Sequence, residues 1–291
     1  MSDQQRALPP SWAERIDALR RGDLTPVVPR LAATVVLLRE GRSGATEAYL
    51  LRRRASMAFA GGMYAYPGGG VDPRDATADI GWAGPDPDAW ALRLGCPPET
   101  ARAVVCAAVR ETFEESGVLL AGPDPASVVA DVSGDQWRAD RAALEAHELS
   151  FADFLTRRGL VLRSDLLGGW ARWITPEFEE RRYDTWFFVA VVPEGQRTAE
   201  VPGEADRVEW LAPAEAVARV EAGEYLMLPP TVTTLRELTG HDGVSALAAA
   251  AGRPLAPIMA RAAVDPSGRI SVSWDNHPEL TLRGDLRGTT R

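Results

Sequence analysis

The chain has 291 residues, of which 45% are hydrophobic and 25% charged, the balance of a globular protein long enough to bury a sizeable core. No run approaches the ~18 uninterrupted apolar residues of a membrane helix, and a net charge of −9 argues against bulk nucleic-acid binding by phosphate neutralisation. Two cysteines, Cys96 and Cys106, are too few for a disulfide framework, and no Cys–His spacing suits zinc. Residues 1–10 are polar and carry no apolar secretory core, so the expected compartment is the cytoplasm.

In chain order, residues 11–21 are predicted as a helix, with Ser11 as N-cap and Glu14 three residues later as in a capping box. Two strands follow at 31–39 and 47–53 around a glycine turn, leading to the loop Tyr66-Pro67-Gly68-Gly69-Gly70. Residues 76–100 are rich in Asp, Pro, Gly and Trp and are predicted as a partly helical insertion. From Pro98 a long helix runs to Glu115, with Val104, Val105, Ala108 and Phe113 on its core face. Two helices are predicted within 134–158, the second opened by Ser150 and closed by Gly159. Strands at 169–175, 185–192 and 207–211 precede helices from Pro213 and over 231–238, and the tail from Gly252 offers one clear strand at 270–274. Strands alternating with helices predict an α/β fold, a mixed sheet between helical layers.

The segment Arg110-Glu111-Thr112-Phe113-Glu114-Glu115-Ser116-Gly117-Val118 carries the chemistry. Residues three and four apart share a helix face, so Glu111, Glu114 and Glu115 bring three carboxylates to one place near a C-terminus, against mutual repulsion and against the macrodipole. A divalent cation with oxygen ligands removes both conflicts. Gly117 suits the helix stop, and Arg110 lies one turn before Glu114, where it can orient that carboxylate. An acidic helix face is more often plain solvated surface. The glycine-rich turn upstream and the Arg-Glu start shift the balance here.

Together these residues resemble the box of the Nudix hydrolase family, G-x5-E-x7-R-E-U-x-E-E-x-G-U with U apolar. The second half matches at Arg110, Glu111, Glu114, Glu115, Gly117 and Val118, with Thr112 in place of the first U. The first half departs: if Gly69 opens the box, the arginine falls forty-one residues later rather than fourteen, so about twenty-seven residues are inserted. Counted forward from Gly69, the first box glutamate falls on Asp75; counted back from Arg110, it falls on Arg102. Asp75 or Glu99 must then take that place, or the role is lost. The split box, the stretch from Trp173 to Phe188 and the run Leu226-Met227-Leu228-Pro229-Pro230 resemble the branch of peroxisomal acyl-CoA diphosphatases and their bacterial relatives.

The resemblance implies a single Nudix domain over 1–291, an α/β/α sandwich with its core at about 30–220, the 76–100 insertion and a C-terminal extension at 221–291. It implies a Mg²⁺- or Mn²⁺-dependent hydrolase of a nucleoside diphosphate derivative, with CoA or acyl-CoA placed before ADP-ribose, NADH or dinucleoside polyphosphates. Glu114 and Glu115 are the first choices as metal ligands, Glu111 as ligand or general base, Gly69 as a backbone ligand, and Glu204 as a further carboxylate from a later loop. Arg53, Gly68, Arg181 and Arg182 are candidates for substrate contact; Gly62 matches the CoA branch while Ala58 stands where a second arginine is expected. No membrane partner is implied, and a homodimer is left open. The alternative is a regulator on the same fold that senses a nucleotide without cleaving it, a reading that Arg102 and the split box favour and the intact Glu111, Glu114 and Glu115 oppose.

Overall fold

The structure is a computed structural model that describes residues 10–57, 60–77, 80–199 and 205–286. Helix α1 (Pro10–Arg21) starts one residue before the predicted cap, because proline is preorganised for a first helical turn; Ser11 is therefore inside the helix. Strands β1 (Arg30–Glu40) and β2 (Thr46–Arg53) form an antiparallel hairpin with Leu38 opposite Ala48. Strand β3 (Tyr64–Ala65) pairs with β2, and β4 (Gly68–Gly70) pairs with β1. The glycine run predicted as a loop is thus a strand.

Helix α2 (Pro73–Thr77) leads into the insertion, which holds β5 (Gly81–Ala83) and α3 (Pro87–Leu94), so it is partly helical as predicted. Then come α4 (Pro98–Ser116), β6 (Ala121–Gly122), α5 (Asp135–Glu145) and α6 (Phe151–Arg158). The Ser150 side chain accepts from the Asp153 N–H and Gly159 closes α6 in the left-handed conformation, both as the sequence predicts. Strand β7 (Val161–Arg163) and a 3-10 turn (Ser164–Leu166) lead to β8 (Gly168–Ile174), β9 (Tyr183–Val191) and β10 (Ala205–Leu211). Helices α7 (Pro213–Glu221), α8 (Pro229–Leu238) and α9 (Gly243–Gly252) precede β11 (Pro257–Val264), β12 (Arg269–Trp274) and β13 (His277–Asp285). The tail therefore carries three strands where one was predicted. Among the described residues no helix is long and apolar enough to cross a membrane.

The chain divides into two compact units. One comprises 32–171 and 186–255 and holds the strand order β10-β2-β1-β9-β8, with β3 and β4 attached, and a small sheet β5-β7-β6. Val35, Val36, Leu37 and Leu38 of β1 are all buried, so this strand is covered on both faces and reads as a continuous apolar run. Fourteen of the nineteen residues of α4 are buried, which is why its sequence lacks a broad polar face. In α3, Trp90 is buried edge-on against Phe188, and the Arg93 guanidinium donates to the Ala250 and Ala251 carbonyls at the end of α9. That contact gives the last turn of α9 a cation and donors for its free carbonyls.

The other unit comprises 1–31, 172–185 and 256–291. Its strands β11, β12 and β13 form an antiparallel meander, and β11 runs parallel to residues Arg172, Trp173 and Ile174. Arg172 holds Asp184 through two bonds of 2.8 and 2.6 Å, and Trp12 packs edge-on against Phe178.

Candidate active site

The site is built where β4 runs beside the C-terminal turn of α4. Ala32, Ala33 and Thr34 of β1 stand opposite Gly70, Gly69 and Gly68. Two tyrosines before β4 fix its entry: the Tyr64 hydroxyl donates to Glu209 at 2.7 Å while its ring stacks on Tyr225, and the buried Tyr66 hydroxyl donates to the Thr231 carbonyl at 2.9 Å. Burial would raise the Glu209 carboxyl, but the hydroxyls of Tyr64 and Tyr225 and the charges of Arg207 and Arg219 hold it below its ordinary value.

Two of the glycines are required by close approach. A Cβ on Gly68 would stand 2.5 Å from the Ala33 carbonyl oxygen and 2.7 Å from Thr34 Cα, which are backbone atoms of the paired strand. A Cβ on Gly69 would instead stand 2.5 Å from Glu111 Oε1. The carboxylate thus occupies the space that a side chain on β4 would fill.

Arg110 is the hub of the cluster. Its Nη1 donates to Glu111 Oε1 at 2.8 Å and to Glu114 Oε1 at 3.2 Å, its Nη2 to the Gly70 carbonyl at 2.8 Å, and its Nε to Asp75 Oδ2 at 3.3 Å. Burial would lower the Arg110 pKa, but Glu111, Asp75 and Glu114 outweigh it and hold the guanidinium charged. Glu115 turns the other way, accepting from the Gly68 N–H at 2.8 Å. The site therefore knits helix to strand through both backbone and charge.

Asp75, counted forward from Gly69, is the carboxylate that meets Arg110; Glu99 is exposed in the first turn of α4. The insertion thus enters the motif after Asp75, which keeps its place. Arg102 turns to the Trp82 ring instead, 5.9 Å from its centroid. Burial pushes the Asp75 carboxyl up despite Arg110 beside it. Burial and then the charge of Glu111 push Glu114 up to about 7, against the pull of Arg110. One guanidinium faces three carboxylates, and burial with Glu111 favours the neutral form of Glu114.

Among the described residues, no group of three or more His, Cys, Asp and Glu side chains stands in a metal-holding arrangement. Glu111 and Glu114 are directed at Arg110, and Glu115 at Gly68. The donor chemistry nonetheless fits a hard divalent cation: all side-chain donors are oxygens, and a cation would favour the ionised form of Glu114 that burial disfavours.

The remaining predicted residues are dispersed. Arg53 ends β2, half-buried, where its backbone N–H donates to the Met63 carbonyl and its carbonyl accepts from Gly62. Arg182 is buried and donates to the Thr175 and Val27 carbonyls at 3.0 and 2.7 Å, so its guanidinium serves the fold, which removes it as a phosphate clamp; Arg181 is exposed beside it. Glu204 and Ala58 lie outside the described residues. Trp90, Trp173 and Trp186 are buried core residues.

Known proteins agree with this geometry. A family model described as the NUDT19 Nudix domain matches residues 91–238, just over half of the chain. Acyl-coenzyme A diphosphatase NUDT19 of Gallus gallus is 26% identical over 243 residues, covering 69% of this chain and 63% of that protein. The Homo sapiens protein of the same name is 26% identical over 234 residues, covering 68% and 62%. The chain thus spans less than two thirds of the length of these relatives. The crystal structure of a NUDIX hydrolase from Alicyclobacillus acidocaldarius superposes with a TM-score of 0.65 at 26% identity, covering 79% of this chain and 99% of that one. With a glycine strand, the arginine-centred carboxylates of α4 and a family match over half its length, the chain belongs to the Nudix hydrolase family, in the group of the NUDT19 Nudix domain.

Proposed function

We propose that this chain hydrolyses the diphosphate bond of a nucleoside diphosphate derivative with the help of a divalent cation, and that CoA or an acyl-CoA is the first substrate class to test. The observation that carries the reading is the placement of Glu111 and Glu115 against the glycine strand, with Arg110 bonded to Glu111 and Glu114. A solvated acidic face needs neither a buried guanidinium nor a glycine cleared for a carboxylate. The substrate class rests on the names of the chicken and human relatives and on the Arg53 and Gly62 match.

Glu114, Glu115 and the Gly69 carbonyl would hold Mg²⁺ or Mn²⁺, with Glu111 as a further ligand or as the general base. When bound, such a cation neutralises diphosphate oxygens and lowers the pKa of a water ligand. The chain's own contribution is positional. Arg110 is bonded to Glu111 and Glu114 and orients them, Glu115 is fixed by the Gly68 N–H, and Asp75 holds Arg110 from its far side. Burial of Glu114 and Glu115 limits competing water, which strengthens each charge interaction.

The test is incubation with Mg²⁺ and a pool of CoA, acyl-CoA, NADH, ADP-ribose and diadenosine polyphosphates, with products identified by mass spectrometry. Phosphopantetheine or its acyl form plus 3′,5′-ADP is the expected result, and Glu114→Gln should lower turnover about 100-fold or more. AMP-type products would move the substrate within the same chemistry. Ligand binding without any product would support the sensor instead.

A further inference from the structure

The last turn of α4 contains no basic residue, although it carries Glu114 and Glu115; its Ser116 carbonyl accepts from the Ala199 N–H at 2.9 Å. Arg110 reaches Glu111 and Glu114, but the very end of the helix, Glu115 to Gly117, needs a cation from elsewhere. Helix α5 brings one. Arg141 is 8% exposed, and its Nη1 lies 2.9 Å from the point a Cβ on Gly117 would occupy. Gly117 itself has φ of +74° and donates to the Phe113 carbonyl, so it is the left-handed stop that leaves this space open. Tyr49 of β2 lies at the same place: its buried hydroxyl donates to the Glu115 carbonyl at the long distance of 3.5 Å. The Tyr49 hydroxyl is pushed up to about 12 by burial and by Glu115, and Arg141 opposes that shift, so all three groups share one neighbourhood.

We propose that Arg141 is a positioning residue for the reaction: from α5 it supplies the cation that the C-terminal turn of α4 lacks, and so fixes Glu114 and Glu115 beside the glycine strand. Burial disfavours the Arg141 charge, while Glu145 one turn on in α5 and Tyr49 favour it and Arg138 opposes it. The helix stop at Gly117 lies beside the same guanidinium. Substrate contact is not part of the role; Arg141 acts through the helix end. The inference rests on the diphosphatase reading only for its kinetic consequence.

The experiment compares Arg141→Met, Arg141→Lys and Leu144→Ala in the full chain, below all melting transitions. Leu144 is a buried residue of the same α5 helix and serves as a control for lost packing. Arg141→Met is expected to lower kcat about tenfold or more with KM within about twofold, because misplaced ligands weaken the chemical step more than substrate binding. Amide hydrogen exchange over residues 112–118 should speed up at least tenfold. Arg141→Lys should recover most of both effects, and Leu144→Ala should reproduce neither at an equal loss of melting temperature. Wild-type exchange in Arg141→Met, or equal kcat and exchange changes in Leu144→Ala, would overturn the assignment, as would failure of both Arg141 variants to fold. If the unaltered chain hydrolyses no diphosphate, the functional reading fails while the exchange arm still decides Arg141.

Discussion

Gly68 and Gly69 are adjacent glycines with opposite predicted consequences. A methyl on Gly69 would meet the Glu111 carboxylate at 2.5–2.6 Å, so the carboxylate must retreat about 1 Å to reach an ordinary contact. That retreat breaks its 2.8 Å bond to Arg110. The obstacle is the end of a flexible side chain, so the strand survives: Gly69→Ala should keep its melting temperature within about 3 °C while kcat/KM falls about 100-fold. A methyl on Gly68 meets the Ala33 carbonyl and Thr34 Cα, which cannot move without parting β4 from β1. Gly68→Ala should therefore lose about 3 kcal/mol of stability. Urea melts and steady-state rates on the diphosphate identified by mass spectrometry separate the two. Gly69→Ala with kcat/KM within about twofold of the parent, or with the stability loss of Gly68→Ala, would refute the reasoning.

Asp75→Ala should destabilise by about 2–4 kcal/mol in urea melts, since it removes one partner of a buried ion pair while Arg110 keeps Glu111, Glu114 and Gly70. Glu114 has a folded pKa raised to about 7 from 4.5, so its contribution is fully present below pH 4.5 and lost as pH rises through 7, by up to about 3 kcal/mol. Melts of metal-free protein across that window should show a shallower decline in Glu114→Gln, and equal slopes would contradict the burial of the charge. Trp90→Ala should cost about 3–5 kcal/mol yet leave kcat of the folded fraction within about threefold, because the ring packs on Phe188; a selective loss of kcat would give the insertion a role at the site.

What was legible in the sequence was whatever local chemistry dictates. The carboxylate spacing, the Gly117 stop, the Ser150 cap and the β1–β2 hairpin follow from residue types a few positions apart. The choice between Asp75 and Glu99 did not, since it depends on which one the fold returns to Arg110 across thirty-five residues. Glycines mark conformational freedom, so Gly68–Gly70 read as a loop; their pairing to β1 needed the partner strand. Helix α9 was missed because its run of alanines has no polar–apolar period, although Asp242 and Ser245 form a capping box that could have found it. The outer strands of the tail alternate weakly between buried and exposed positions, so only the apolar β12 stood out.

The same limit explains why an acidic helix end can exist at all. Taken alone, residues 110–117 describe a helix working against its own dipole, and the sequence offers one compensating charge, Arg110. The fold adds further terms that no window of sequence contains: Asp75 behind Arg110, the Gly68 N–H on Glu115, and Tyr49 with Arg141 at the helix stop. These contacts do not restore an ordinary carboxyl at Glu114, which burial and Glu111 push up to about 7. They hold the carboxylates in place while leaving them short of positive charge. A structure optimised for stability alone would complete the neutralisation with its own side chains. Under the proposed function, a cation brought with substrate would complete it at that buried carboxylate.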